Sequence, residues 1–246
     1  MNVVILAGGR GTRLEDDTKG LIPKPLVDVG DMPIIEHIIR LYHSQGHKQF
    51  IVAAGYLGYA LDDWGKSGSH VKGASITIIQ TGETTCTGGR LLRLERVLSG
   101  MPFMLTYGDG LADVNLSALS DFHFAMAEKH GVLVTLTAVR PPNRFGYVDV
   151  GGTGVVEHFA EKPVDEGSWV NGGFYVCSPG VLRFISGDGT QLERDVLPAL
   201  AQRGLLAAYK HHGFWQCMDH PRERQMLTEV YQSGNAPWLR WELHNG

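Results

Sequence analysis

Near its amino terminus the chain reads Val3-Val4-Ile5-Leu6-Ala7-Gly8-Gly9-Arg10-Gly11-Thr12-Arg13-Leu14, and this stretch limits what the rest can become. Four successive apolar residues without polar alternation read as a strand buried on both faces, as in a parallel sheet. The loop that follows has three glycines in four positions. It lacks side-chain bulk, so a ligand can approach the backbone and the N–H groups can point at an anion; an ordinary tight turn has the same composition. Further on, Pro23-Lys24-Pro25 holds one lysine between two prolines. Free amides, an arginine and a stiffly held lysine together suit a polyphosphate.

Two phosphate loops are excluded. No Gly-Lys-Ser/Thr follows Gly8 or Gly9, as a Walker loop needs, and Leu14 stands where a dinucleotide fold needs its third glycine. A nicotinamide-dependent oxidoreductase is disfavoured on the same ground. The formal net charge of −4 leaves no basic surplus for nucleic acid, so positive charge for a phosphorylated ligand must be local. Cys86, Cys177 and Cys217 are odd in number and far apart, which suggests neither a disulfide framework nor a zinc cluster. With no bilayer-length apolar run and no basic leader before the first strand, the expectation is a cytoplasmic protein without a membrane partner.

Apolar runs predict strands at 26–29, 49–54, 74–80, 101–107, 132–139, 170–177, 207–211 and 213–217, with a hairpin over 146–150 and 155–159. Periodicity and caps predict helices over 34–45, 90–98, 116–130, 179–185, 192–202 and 222–232. The polar, glycine-rich stretch 62–73 reads as a mobile excursion. Alternating strands and helices predict an α/β fold, a doubly wound three-layer sandwich with a mostly parallel central sheet and a smaller mixed β region. One domain over 1–246 is expected, in two parts, about 1–110 and about 111–246.

Asp109 lies between two glycines at the end of an apolar strand, and Asp219 follows another strand in the same manner. Two strand-end aspartates could share a divalent cation with substrate phosphates; each is also an ordinary turn residue. Lys162 in Glu161-Lys162-Pro163 suits a monophosphate, or forms a solvated pair with its neighbour. Asn171-Gly172-Gly173 inside a strand marks close approach of a ligand, or a β-bulge. The loop 81–90 is rich in hydroxyls and free amides, as base recognition needs.

In their order along the chain, the segments Gly8-Gly9-Arg10-Gly11-Thr12-Arg13-Leu14, Pro23-Lys24-Pro25, Thr87-Gly88-Gly89-Arg90-Leu91, Gly108-Asp109-Gly110, Arg144-Phe145-Gly146, Glu161-Lys162-Pro163, Asn171-Gly172-Gly173-Phe174 and Gly213-Phe214-Trp215-Gln216 resemble the nucleotide-sugar pyrophosphorylases over nearly the whole length. Thr-Gly-Gly-Arg-Leu and Gly-Phe-Trp-Gln point to the cytidylyl branch. The resemblance implies CMP transfer from CTP to a phosphorylated acceptor with release of pyrophosphate, with Mg²⁺ as cofactor and a homo-oligomeric protein. Glucose 1-phosphate is the first expectation for the acceptor; another sugar phosphate, a non-sugar phosphate or a phosphonate is the alternative, as is a non-catalytic regulatory subunit. It implies that Arg13 and Lys24 are catalytic. It assigns the nucleotide to Leu6, Ala7, Gly8, Gly9, Gly11, Thr12, Arg13, Lys24, Thr81, Thr87, Gly88 and Asp109. The acceptor falls to Tyr107, Gly108, Gly146, Glu161, Lys162, Asn171 and Gly172, and the metal to Asp109 and Asp219. Three positions depart from the family pattern: Ile22 replaces a lysine, His220 replaces a threonine, and the segment around Trp64 is shorter.

Overall fold

The structure is a computed structural model that describes residues 1–11, 20–67, 71–98, 100–141, 147–160 and 168–244. Its centre is β1, Val3–Ala7, flanked in parallel by β4, Gln49–Ala54, and β6, Phe103–Tyr107. Val3, Ile5 and Ala7 enter one apolar cluster and Val4 and Leu6 the other. The period of two across a strand therefore explains why the whole run is apolar.

Seven strands form the sheet. Outward from β1, β4 is followed by β5, Ser75–Gln80; outward from β6 come β11, Val170–Cys177, then β8, Val134–Val139, and β12, Leu206–Lys210. All neighbours run parallel except β11, which is antiparallel to both β6 and β8. The second half of the sequence thus enters the sheet beside β6 rather than at an edge. Three short pairs complete the strands: β2, Asp28–Val29, with β3, Met32–Pro33; β7, Gly110–Ala112, with β13, Trp215–Cys217; and the hairpin β9, Tyr147–Val150, with β10, Val156–Ala160. The expected Gly146 start of that hairpin lies outside the described residues.

Helices cover both faces. Helix α1, Ile34–Ser44, starts after Pro33 and buries Ile34, Ile35, Ile38, Leu41 and Tyr42. The stretch expected to be a mobile excursion instead begins inside a helix, α2, Gly58–Lys66, which buries Leu61 and packs Trp64 on the core. Two apolar residues three apart suffice to dock one face of a short helix, and the polar remainder hid it. Helix α3, Thr87–Arg93, begins before the expected Arg90 and takes Gly88 and Gly89 inside it; the chain then turns at Leu94 into α4, Glu95–Leu98. Helix α5, Leu116–His130, is capped by Asn115, whose side chain accepts from the Ala118 amide at 2.9 Å, and closes at Gly131 in the left-handed region. The expected helix over 192–202 divides into a π turn, Leu192–Val196, and α6, Leu197–Gln202. Helix α7, Pro221–Gln232, leads to a 3₁₀ segment, Pro237–His244. No described helix is long and apolar enough to cross a membrane.

Trp238 in that last segment is fully buried and donates to Nδ1 of His37 at 3.1 Å. The proton of His37 must then sit on Nε2, which donates to the Val29 carbonyl at 2.8 Å. Burial, with a smaller push from Arg40, holds His37 down at about 4, and burial does the same to His123. As pH falls below the ordinary value of about 6.5, the unfolded chain gains protons that these folded histidines refuse until about pH 4. Their contribution is therefore complete above pH 6.5 and declines by up to about 1.4 kcal/mol per pH unit for each as pH drops toward 4. Urea midpoints are expected to fall from pH 7 to pH 5, and to fall less in a His37→Gln variant; a pH-independent midpoint contradicts this.

Candidate active site

At the carboxyl ends of β1 and β6 the structure opens a cleft of about 440 Å³. One wall is Leu6, Ala7, Gly8, Gly9 and Gly11; the opposite wall is Tyr107, Gly108 and Asp109. In open α/β sheets this crevice, beyond the strand ends, is where ligands bind.

The glycine loop is held from behind by a residue that had no assigned role. Arg90 of α3 is almost fully buried and donates to the Gly8 carbonyl at 3.0 Å, the Ala54 carbonyl at 3.1 Å, the Gly82 carbonyl at 2.8 Å and the Thr81 hydroxyl at 2.7 Å. One guanidinium thereby ties together the loops after β1, β4 and β5. Burial lowers its pKa, yet a guanidinium stays charged at neutral pH. A Cβ on Gly8 would strike the Arg90 guanidinium, so glycine is required there by close approach. Arg90→Lys is expected to cost about 2 kcal/mol and to raise the nucleotide KM about tenfold, because a single ammonium cannot serve carbonyls on three loops. Urea unfolding and a nucleotide saturation curve check both effects.

The second feature is charge. β13 pairs with β7 in a register that sets Cys217 opposite Gly110, and the Met218 amide donates to the Asp109 carbonyl at 2.8 Å. That pairing brings Asp219 beside Asp109. Glu223 at the start of α7 accepts from the amides of Asp219 at 2.6 Å and His220 at 3.0 Å, which fixes the backbone under Asp219. Lys24 lies in a 3₁₀ turn, Lys24–Leu26, and its Nζ donates to Asp109 Oδ2 and Asp219 Oδ1 at 2.6 Å each. Its side chain is only 12% exposed. Burial pulls the ammonium pKa down, but the Asp109 charge and the hydrogen bonds to both carboxylates outweigh it, and the net shift is upward.

These residues fit a divalent cation. Two carboxylates converge at the cleft on a position that the Lys24 ammonium shows to suit positive charge, and Mg²⁺ is commonly held by one or two carboxylates with substrate phosphates and waters. Among the described residues no group of three or more His, Cys, Asp or Glu is placed to hold a metal by itself.

The remaining expected residues divide. Thr87 lines the cleft. Thr81 does not: it is buried, and its hydroxyl donates to the Ala54 carbonyl at 2.6 Å. Gly88 packs against the backbone of Thr190, where a Cβ would come within 2.8 Å of a carbonyl. Asn171 and Gly172 sit at a register shift in β11, so the bulge alternative is present. Neither lines the cleft; the Gly172 carbonyl accepts from Trp215 Nε1 at 2.7 Å. Thr12, Arg13, Gly146, Glu161 and Lys162 lie outside the described residues.

Glu193, also without a sequence signal, lines the cleft from the π turn. Tyr107 donates to its Oε1 at 2.5 Å and Thr87 to its Oε2 at 2.7 Å. The Tyr107 and Tyr175 hydroxyls are 2.9 Å apart, and Asn171 Nδ2 donates to Tyr175 at 2.5 Å. Burial pushes both tyrosine pKa values up, reinforced at Tyr107 by Tyr175 and Glu193 and opposed at Tyr175 by its hydrogen bonds with Tyr107 and Asn171, and both remain protonated at neutral pH.

The model of the family described as "Nucleotidyl transferase" matches residues 2–218. The chain is 41% identical over 263 aligned residues to the glucose-1-phosphate cytidylyltransferase of Salmonella typhimurium, covering 98% of this chain and all of that protein. It is 31% identical over 236 residues to the mannose-1-phosphate guanyltransferase of Kluyveromyces lactis, covering 94% of this chain and 64% of that protein. Among solved structures, HddC from Yersinia pseudotuberculosis superposes with a TM-score of 0.72 at 23% identity, covering 94% of this chain and 99% of that chain; this establishes the shared fold. With the family match spanning Asp109 and ending one residue before Asp219, and full-length relatives above 40% identity, the chain belongs to the nucleotidyl transferase family of enzymes.

Proposed function

We propose that the protein transfers CMP from CTP to α-D-glucose 1-phosphate, giving CDP-glucose and pyrophosphate. The observation that carries nucleotide and acceptor is the 41% identity, end to end, to a glucose-1-phosphate cytidylyltransferase, against 31% for the guanyltransferase. The cleft suits this chemistry. An acceptor phosphate oxygen attacks the α-phosphorus in line; the new P–O bond forms as the bond to the β-phosphate bridging oxygen breaks, and pyrophosphate leaves with the electron pair. A phosphate dianion is already a nucleophile, so the protein's task is positioning and charge neutralisation.

In this reading the loop from Gly8 to Gly11 presents amides to the triphosphate, and Lys24 neutralises phosphate charge. Asp109 and Asp219 would hold Mg²⁺, which when bound offsets the charge of the phosphates. Arg13 is assigned to the phosphates and Lys162 to the acceptor phosphate, with Glu161 and Gly146 beside the acceptor body. The test is pyrophosphate release from CTP, UTP, dTTP, GTP and ATP, each with a panel of sugar phosphates, a polyol phosphate and a phosphonate. CTP with glucose 1-phosphate is expected to be fastest. Preference for another acceptor with CTP overturns the glucose assignment, and preference for another triphosphate overturns the cytidylyl assignment.

A further inference from the structure

We infer that Asn171 and Tyr175 are positioning residues: through one directed hydrogen-bond relay they fix Glu193 in the cleft wall, where it accepts from a hydroxyl of the acceptor's sugar body. The inference rests on the proposed transfer to a sugar phosphate.

The direction of the relay follows from counting protons. An ionised carboxylate only accepts, so Tyr107 and Thr87 both donate to Glu193. A hydroxyl has one proton; with that of Tyr107 given to Glu193, the Tyr107 oxygen must accept from Tyr175. The Tyr175 proton is then committed, and its oxygen accepts from the Asn171 amide nitrogen, a group that can only give. At the far end the Thr87 oxygen accepts from the Leu192 amide at 2.8 Å while its proton goes to Glu193. Every hydroxyl orientation from β11 to α3 is therefore fixed by its neighbours.

Asn171 cannot turn freely toward a ligand. Its Oδ1 accepts from the Gly173 amide at 3.0 Å across the bulge, while its Nδ2 serves Tyr175. Tyr175 is fully buried and does not line the cleft. Glu193 does line it, and a carboxylate has about four acceptor sites, of which the relay fills one on each oxygen. The group it presents accepts only, so it favours hydroxyl donors and disfavours a bare anion. That separates the polyol end of an acceptor from its phosphate end.

The variants are Tyr175→Phe, which keeps the ring and removes the link, and Asn171→Ala at an exposed position. Steady-state kinetics use the full chain with CTP and whichever acceptor the wild type turns over fastest. Tyr175→Phe is expected to raise the acceptor KM about tenfold, with kcat and the CTP KM within about twofold of wild type. Asn171→Ala is expected to do the same, and the double variant to be little worse than either single one. A merely structural role would lower the melting temperature and the active fraction, and hence kcat, without moving the acceptor KM. An unchanged acceptor KM in both single variants, or fully multiplying losses, overturns the relay. If Tyr175→Phe does not fold, Asn171→Ala alone decides by the same criterion. Faster turnover by wild type with an acceptor other than glucose 1-phosphate overturns the glucose assignment and leaves the relay to be judged with that acceptor. Absence of turnover with every acceptor, together with no CDP-glucose binding by calorimetry, overturns both.

Discussion

Asp109→Asn is expected to lower turnover roughly a thousandfold, the upper scale for removing one preorganised electrostatic partner. The carboxylate has two tasks in the cleft. It accepts from Lys24, and with Asp219 it forms the convergent pair assigned to the metal. Asparagine keeps the size and removes the charge, so both tasks fail together while the backbone contact between Met218 and Asp109 persists. Asp219→Asn is expected to act alike. The double variant is expected to be little worse than either single one, because groups acting as a unit are non-additive. Turnover of all three variants at saturating Mg²⁺, with Mn²⁺ binding followed by electron paramagnetic resonance in the presence of CTP, checks this. Losses that multiply would assign the two aspartates separate roles.

Lys24→Ala is expected to lower turnover by roughly two to three orders of magnitude. From its place in a loop alone, little effect on stability would be anticipated. The structure changes that expectation, because the Lys24 ammonium lies between two carboxylates that converge on it. Without it Asp109 and Asp219 face each other uncompensated, at a cost on the order of 2 kcal/mol after allowing for their partial exposure. A divalent cation restores the missing charge. Added Mg²⁺ should therefore raise the melting temperature of Lys24→Ala by more than that of wild type, while turnover stays low. Near-normal turnover in this variant, or equal Mg²⁺ responses in the two proteins, would contradict the assignment.

The fold was legible wherever burial wrote itself as period. β1, residues 50–54 of β4 and residues 174–177 of β11 are apolar without interruption because successive residues enter two different clusters, and α1 and α5 carry their own start and stop signals. Helix α2 was not legible, since only Leu61 and Trp64 anchor it. In the site, the glycine loop and the two strand-end aspartates could be read because a strand end followed by glycine or a carboxylate is a local pattern. Their meeting through β13 and β7 is a product of register and has no local signal. Arg90 and Glu193 were silent for the same reason. A buried arginine that joins three loops, and a glutamate set by two hydroxyls from distant elements, look in sequence like ordinary helix-surface charges. Gly8 and Gly55 both lack the Cβ that would strike the Arg90 guanidinium, but neither glycine names its partner in the sequence. Asn171 was legible as a special position, yet its amide is engaged by Tyr175 and Gly173 rather than open to the cleft.

Direct transfer of the nucleotidyl group is the central claim, and label transfer tests it most directly. The enzyme is incubated with Mg²⁺, glucose 1-phosphate and CTP carrying ³²P at the α-phosphorus, and the products are separated by chromatography. The label is expected to move into a CDP-linked sugar in step with formation of unlabelled pyrophosphate, with none retained on denatured protein. Label recovered on the protein, or as CMP without a sugar-linked product, would contradict it.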